Sequence, residues 1–271
     1  MNIVSVPRQF QPAINVEYPP GNKIIFEQWL IDNVGEFESD RWYLPINWCA
    51  FYVNNKYGKN RNAMMALDRF LRTLDRSKKY WTVTQYDLGI ISNIAGLDIK
   101  IFGAGGGRID FPIPLLCQSD WLPDNARSVD TLVSFAGAAT HPIRKEMLKH
   151  CPPEWDVQIT NNIPYDRYRR KMEKSSFTLC PRGFGPTSFR ICEAIQSGSI
   201  PVYISDQFVI PGNIPFNKYG LLIKPEELPR LSEIIHQEAE NTRDLVNKYV
   251  YGSRLDMFTY EGCRKLILEN L

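Results

Sequence analysis

The stretch Ser175–Asp206 reads SSFTLCPRGFGPTSFRICEAIQSGSIPVYISD. FTLC and IPVYIS are short runs rich in β-branched and aromatic residues and predict two strands. FRICEAIQSG between them predicts a helix, with Gly198 at the position of a C-cap glycine. The connection ahead of that helix holds two glycines, two prolines and Arg182, and a further arginine, Arg190, opens the helix. A loop that only turned the chain would need none of this cationic chemistry. A helix starting at the carboxyl end of a parallel strand aims its free N–H groups and positive dipole end at the space beyond. Glycine there lets a ligand approach the backbone, and phosphate is the natural occupant. Arg182, Gly183, Ser188 and Arg190 are therefore candidate phosphate-binding residues, the arginines as bidentate donors. Glu193, one turn into the helix, is placed to accept from a vicinal diol such as a ribose. The competing reading is a surface pair between Arg190 and Glu193 at i, i+3.

Outward from this unit, strands and helices alternate. TLVSFAGA, HPIRKEMLKH, WDVQIT, YDRYRRKMEKS, GLLIK and ELPRLSEIIHQ predict strand, helix, strand, helix, strand and helix. Pro142 and Pro229 suit the first turns of their helices. This is the signature of βαβ units and a parallel sheet covered on both faces. The first half is mixed. It predicts a helix near 23–32, an apolar strand around 41–50 and an amphipathic helix near 61–76, whose Met64, Leu67, Leu71 and Leu74 form one stripe. Strands at YWTVTQYD and IKIFGAG follow. All six tryptophans precede residue 156, and the polar stretch 119–130 reads as a linker. The predicted organisation is an α/β chain with a first domain over 1–125, a second over 126–250, and a C-terminal helix over 251–271 packing back toward the first.

Composition bounds the function. The chain has 271 residues, is 44% hydrophobic and 23% charged, and carries a formal net charge of +2. That balance speaks against a nucleic-acid binder, which needs a strongly basic face. The run RYRRK, 167–171, is flanked by Asp166 and Glu173 and reads as a solvated helix face. No apolar run reaches the ~18 residues of a membrane span. The N-terminal residues lack a signal-peptide pattern, so a soluble, cytoplasmic protein is expected. Six dispersed cysteines without a CxxC pair argue for reduced, mostly buried thiols rather than zinc or disulfides. GFGPTS and GAGGGR (103–108) both miss the third glycine of a dinucleotide fingerprint, and no P-loop sequence occurs. No two aspartates stand two residues apart, so the DxD arrangement that holds a divalent metal against a sugar diphosphate is missing.

The stretch 175–206 resembles the signature of the exostosin-like glycosyltransferases of GT47 type. The shared positions are Ser175, Phe177, Leu179–Cys180–Pro181, Gly183, Arg190, Glu193–Ala194, Gly198 and Pro201–Val202. FAGAATHPIRKEML, WYLPINW and KKYWTVTQYDLGI are similar to further segments of that family. The likeness is strong over roughly 130–225 and weak over the first hundred residues. Ser199 stands where the family often has cysteine, a packing change. The resemblance implies a GT-B-like α/β fold, two Rossmann-like domains facing a cleft, with a nucleotide-sugar donor on the C-terminal one. It implies inverting, metal-independent transfer from a UDP-sugar to a glycan hydroxyl, with no further cofactor, no nucleic acid and no membrane span.

Inverting transfer needs a base for the acceptor hydroxyl and a stabiliser for the departing diphosphate. Asp87, at the end of the strand-like YWTVTQYD, matches the family's aspartate and is the expected base. Its flanking Tyr86 and Leu88 depart from the family's arginine and histidine, and the competing role is the cap of a helix starting near Leu88. Glu17 and His141 are the fallbacks. Arg144, after a strand and a Gly-Ala turn, and His141, at the same turn, are expected to face the donor beside Arg182, Gly183, Ser188, Arg190 and Glu193. The aromatic first half suits a sugar acceptor. A non-catalytic nucleotide-sugar or glycan binding protein and a dinucleotide oxidoreductase are the alternatives.

Overall fold

The structure is a computed structural model that describes residues 2–13, 24–119, 128–240 and 255–271. Glu17, Trp121, most of the expected linker and the boundaries expected at 125/126 and 250/251 lie outside the described residues.

The first half contains α1 (Phe26–Asn33), β1 (Arg41–Tyr43), α2 (Trp48–Asn54), α3 (Arg61–Arg72), β2 (Lys79–Thr84), β3 (Asp98–Gly103) and β4 (Phe111–Pro112). Its four strands form a parallel sheet in the order β1-β2-β3-β4. The expected strand over 41–50 is instead a three-residue strand and a helix. Asn47 is the N-cap of α2, accepting from Ala50 N–H at 3.3 Å, which ends the extended run two residues after Pro45. The helix expected to reach 76 stops at Arg72, where the Thr73 hydroxyl donates back to Phe70 O at 2.7 Å. The predicted stripe is otherwise real: Leu67 and Leu71 are fully buried, each burial stabilising by about 1.5–3 kcal/mol.

The second half runs β5 (Thr131–Gly137), α4 (Pro142–Lys149), β6 (Asp156–Ile159), α5 (Tyr165–Glu173), β7 (Ser175–Pro181), α6 (Phe189–Gln196), β8 (Ile200–Ile204), β9 (Leu221–Ile223) and α7 (Leu231–Ala239). The order β6-β5-β7-β8-β9, all parallel, reverses direction between β5 and β7. Ligands bind in such sheets at the carboxyl ends beside that reversal. Every residue of β8 is buried, as a strand covered on both faces must be. Gly198 closes α6 at φ +74° in a Schellman motif: its N–H donates to Ile195 O at 2.9 Å and that of Ser199 to Ala194 O at 2.8 Å. Ser199, in place of the family's cysteine, is buried with its hydroxyl 2.8 Å from that of Thr178. Pro229 sits inside a 3-10 turn (Pro225–Arg230) just ahead of α7, not in the first turn of α7 itself.

The two parallel sheets make this a GT-B-like α/β fold. Between them lies one continuous core in which Phe102, Phe111 and Leu115 of the first half meet Ile191, Ile195 and Tyr203 of the second. A final helix, α8 (Tyr260–Leu268), lies against α1, with Tyr260 5.3 Å from Trp29 and 5.8 Å from Phe26 between ring centres. Among the described residues no helix is long and apolar enough to cross a membrane.

Candidate active site

The carboxyl ends of both sheets meet at one seam. On the first-half side, the chain leaves β2 through Gln85 into a turn in which Gly89 N–H donates to Tyr86 O at 2.8 Å. No helix begins at Leu88, so Asp87 has none to cap. The turn rests directly on the segment GAGGGR. A Cβ would stand 2.3 Å from Tyr86 O at Gly105, 2.7 Å from Asp87 O at Gly106 and 2.4 Å from Leu88 O at Gly107. Such distances are closer than real side chains tolerate, so these glycines are needed for backbone-on-backbone packing. The Gly106 N–H completes the contact, donating to Asp87 O at 2.8 Å. A segment that resembled a failed phosphate loop is the platform under Asp87.

The Asp87 carboxylate reaches across to the second half. A Cβ on Gly185 would lie 2.4 Å from its Oδ1, and the Gly185 backbone N–H donates to the carboxylate. Burial raises the Asp87 pKa above the ordinary carboxylate value, while that N–H and the Arg182 guanidinium act against the rise. A second bond crosses the seam nearby, from the Thr187 hydroxyl to Ala104 O at 2.9 Å.

The loop of 182–188 is fixed from several directions. The Pro186 carbonyl accepts from the hydroxyls of Tyr203 at 2.8 Å and Ser205 at 3.1 Å. Arg182 folds over its own loop, donating from Nε to Gly185 O at 3.2 Å and from Nη2 to Phe184 O at 3.4 Å. Its Nη1 is ion-paired with Asp206, which lowers the Asp206 pKa. Ser188 is the N-cap of α6, its hydroxyl accepting from Arg190 N–H at 3.3 Å. At Gly183 a Cβ would meet nothing closer than 3.5 Å, so the protein itself does not require glycine there. His141 is the N-cap of α4, with Nδ1 accepting from Ile143 N–H at 3.3 Å. In a neutral ring that places the proton on Nε2. The neutral ring is favoured, because burial and then the nearby Arg182 lower the His141 pKa.

The other expected donor ligands face protein groups. Arg144 donates to three carbonyls, Arg182 O and Ala138 O at 2.9 Å and Pro181 O at 3.2 Å. It ties α4 to the carboxyl ends of β5 and β7, where a diphosphate contact was expected. Arg190 donates to Ala136 O at 2.7 Å, and its guanidinium lies 4.7 Å from the Phe135 ring centre. Glu193 is 5% exposed, with Oε2 accepting from the Tyr168 hydroxyl at 2.5 Å and Oε1 3.7 Å from Cys117 Sγ. A ribose reaching Oε2 would compete with the Tyr168 hydroxyl for it. Tyr168 itself lies within the run read as a solvated face. Of the first-half tryptophans expected to suit an acceptor, Trp48 and Trp81 are fully buried, while Trp29 and Trp42 are half-buried.

Glu27, which the sequence did not single out, belongs to the same neighbourhood. Its backbone N–H donates to Gln85 Oε1 at 3.0 Å, two residues before Asp87, and its Oε2 accepts from Cys49 N–H at 2.9 Å in the first turn of α2. Burial pushes its pKa up to about 8 against those backbone donors. Glu27 lies inside α1 and reaches the first turn of α2 only through the fold, so no local signal marked it.

Residues 51–237 match the family model described as the Exostosin GT47 domain. The chain belongs to the exostosin GT47 family. A probable glycosyltransferase of Arabidopsis thaliana is 36% identical over 109 residues, 39% of this chain and 23% of that protein. A probable glucuronosyltransferase of Oryza sativa subsp. japonica is 41% identical over 70 residues, 25% of this chain and 16% of that protein. The chain thus spans about a quarter or less of these relatives. Among solved structures, that of TarM is similar with a TM-score of 0.44 and 11% identity, covering 77% of this chain and 53% of that one. In the GT47 chain the matched region includes Asp87 and the whole loop of 182–188, but not Glu27.

Proposed function

We propose that this chain is a glycosyltransferase that moves a sugar from a nucleotide diphosphate sugar, with UDP as the carrier, to a glycan hydroxyl, with inversion and without a metal ion. The observation that carries the reading is the Asp87 carboxylate of one half seated on Gly185 in the signature loop of the other. Membership of the GT47 family and the relatives named as probable glycosyltransferases support a sugar-nucleotide donor.

The acceptor oxygen attacks the anomeric carbon as the bond from that carbon to the phosphate oxygen breaks. Asp87 takes the acceptor proton, and the electron pair leaves with the diphosphate. Burial makes Asp87 a stronger base than an ordinary carboxylate, which favours proton removal near neutral pH. The diphosphate charge falls to Arg182 and the Nε2–H of His141, beside a loop that the Gly183 N–H closes by donating to Thr187 O at 3.3 Å. Arg144, Arg190 and Glu193 act as positioning residues that fix α4, α5 and α6 about the loop.

The test is Asp87→Asn. Turnover should fall by about 10²–10⁴, while UDP still raises the melting temperature, equally in EDTA and in magnesium. The anomeric configuration of the product, read by NMR, should be opposite to that of the donor. Normal turnover by the variant removes Asp87 from the mechanism, and a UDP shift that disappears in EDTA removes the metal-free reading.

A further inference from the structure

Two aromatic side chains stand in solvent, one on each half of the chain that the Asp87 contact joins. Phe184 is 76% exposed, although the four residues after it, Gly185 to Ser188, are buried. It is also held still. Arg182 donates to the carbonyls of both Phe184 and Gly185, and the Gly185 N–H is bound to Asp87. With its backbone anchored and its ring turned to water, Phe184 forgoes burial worth about 1.5–3 kcal/mol, so folding does not account for its exposure.

On the opposite side, Tyr57 is 63% exposed and Leu88, next to Asp87, is 61% exposed. Tyr57 lies in a run of three left-handed residues, Lys56 at φ 56°, Tyr57 at 57° and Gly58 at 78°. Only glycine enters that region freely, and each of the other two costs about 1–2 kcal/mol. The run terminates α2, with the Gly58 N–H donating to Tyr52 O at 3.2 Å, and it leaves the Tyr57 ring in solvent. Tyr57 follows α2, whose Tyr52 ring stands 4.9 Å from that of Tyr86, the neighbour of Asp87. Ile91, 41% exposed, packs on Gly58, where a Cβ would meet its Cδ1 at 2.4 Å. The ledge of Tyr57, Leu88 and Ile91 is thus continuous with the Asp87 turn.

We propose that Phe184 and Tyr57, with Leu88 and Ile91, form the acceptor subsite, where a pyranose ring of a glycan lies with its C–H face on the aromatic rings and a hydroxyl toward Asp87. The assignment rests on the transferase reading above. Apolar faces with a polar edge fit this surface, since a pyranose presents C–H groups on its faces and hydroxyls around its rim. A nucleobase is the other flat ligand available, but Phe184 precedes the Gly185 on which Asp87 seats and Leu88 follows Asp87, so both flank the base that receives the acceptor proton, and an acceptor must lie there.

The experiment compares the parent chain with Phe184→Ala, Tyr57→Ala, Phe184→Trp and Tyr57→Phe. Both positions are exposed, and melting temperatures confirm that each variant folds. Cellotetraose, xylotetraose and chitotetraose are the probes, read by saturation-transfer NMR and, with UDP-sugars, as acceptors. The alanine variants should weaken oligosaccharide binding and raise the acceptor KM by at least about fivefold, while the aromatic replacements retain both. UDP affinity should stay within about twofold. Loss of UDP affinity with an unchanged acceptor KM would give Phe184 to the nucleobase and overturn the proposal. Unchanged oligosaccharide binding in both alanine variants, or no binding to the parent chain, overturns it as well. A parent chain that binds an oligosaccharide through these rings but turns over no UDP-sugar keeps the subsite and sinks the transferase reading.

Discussion

Glu27→Gln should make the protein more stable at neutral pH and nearly neutral in effect at pH 5. Glu27 is 1% exposed, and burial lifts its pKa from an ordinary 4.5 to about 8. Raising the folded-state value above the unfolded one gives stability that is complete below pH 4.5 and lost as pH rises toward 8. Over that window the unfolded chain ionises Glu27 while the folded chain holds it protonated. Each pH unit costs about 1.36 kcal/mol, so the penalty approaches about 3 kcal/mol at pH 7 and remains below about 1 kcal/mol at pH 5. Glutamine removes the titration and keeps an oxygen for the Cys49 N–H, which Glu27 Oε2 accepts at 2.9 Å. For a chain of this size about 3 kcal/mol corresponds to roughly 6–10 °C in melting temperature. The assay is the difference in melting temperature between variant and parent, measured from pH 5 to pH 7.5, which cancels every other titrating group. A difference that grows by that amount supports the burial argument. A constant offset across the range would refute it, showing that the first turn of α2 keeps Glu27 ionised.

Gly185→Ala should lose at least about 1–3 kcal/mol of stability, because its Cβ would stand 2.4 Å from Asp87 Oδ1; chemical denaturation measures this, and an unchanged midpoint would mean that Asp87 does not seat there. Glu193→Gln should leave UDP affinity within about twofold but cost about 1–2 kcal/mol through the bond from Tyr168, and Tyr168→Phe should cost a similar amount. A UDP affinity that collapses in Glu193→Gln while Tyr168→Phe is silent would return Glu193 to the ribose.

The unit from β7 to β8 was legible because its signals are local. Gly198 needs its left-handed φ and the strands are continuous apolar runs, whereas Ser188, read as a donor ligand, is the cap of α6. The first half was harder to read. In WYLPINW the strand and helix signals overlap within seven residues, and the Asn47 cap decides between them only once the chain has turned. Side-chain destinations were the least legible. Arg144, Arg190 and Glu193 have the residue types of a phosphate and ribose site, and the same types serve equally to bind carbonyls and a tyrosine hydroxyl. Nothing local distinguishes the two uses. The contact of Asp87 with Gly185 joins segments far apart in the chain, so only the fold displays it. The GAGGGR segment illustrates the same limit, since its glycines answer to a turn that packs on them.

With Arg144 and Arg190 bound to carbonyls, Arg182 is the arginine of the loop whose charge is met by an exposed partner. Asp206 holds it through a side chain that is 53% exposed, against 14% for Arg182. A pair of this kind is worth about 0–1 kcal/mol, because the carboxylate regains water readily when the contact opens. A diphosphate bearing more than one charge competes favourably for the same guanidinium. On the proposed reading, Asp206 therefore keeps Arg182 ordered through a bond weak enough to surrender. The loop carbonyls at Phe184 and Gly185 hold the rest of the guanidinium. Donor binding then needs only Asp206 to swing into water, with the loop, Phe184 and the Asp87 contact left in place for the acceptor.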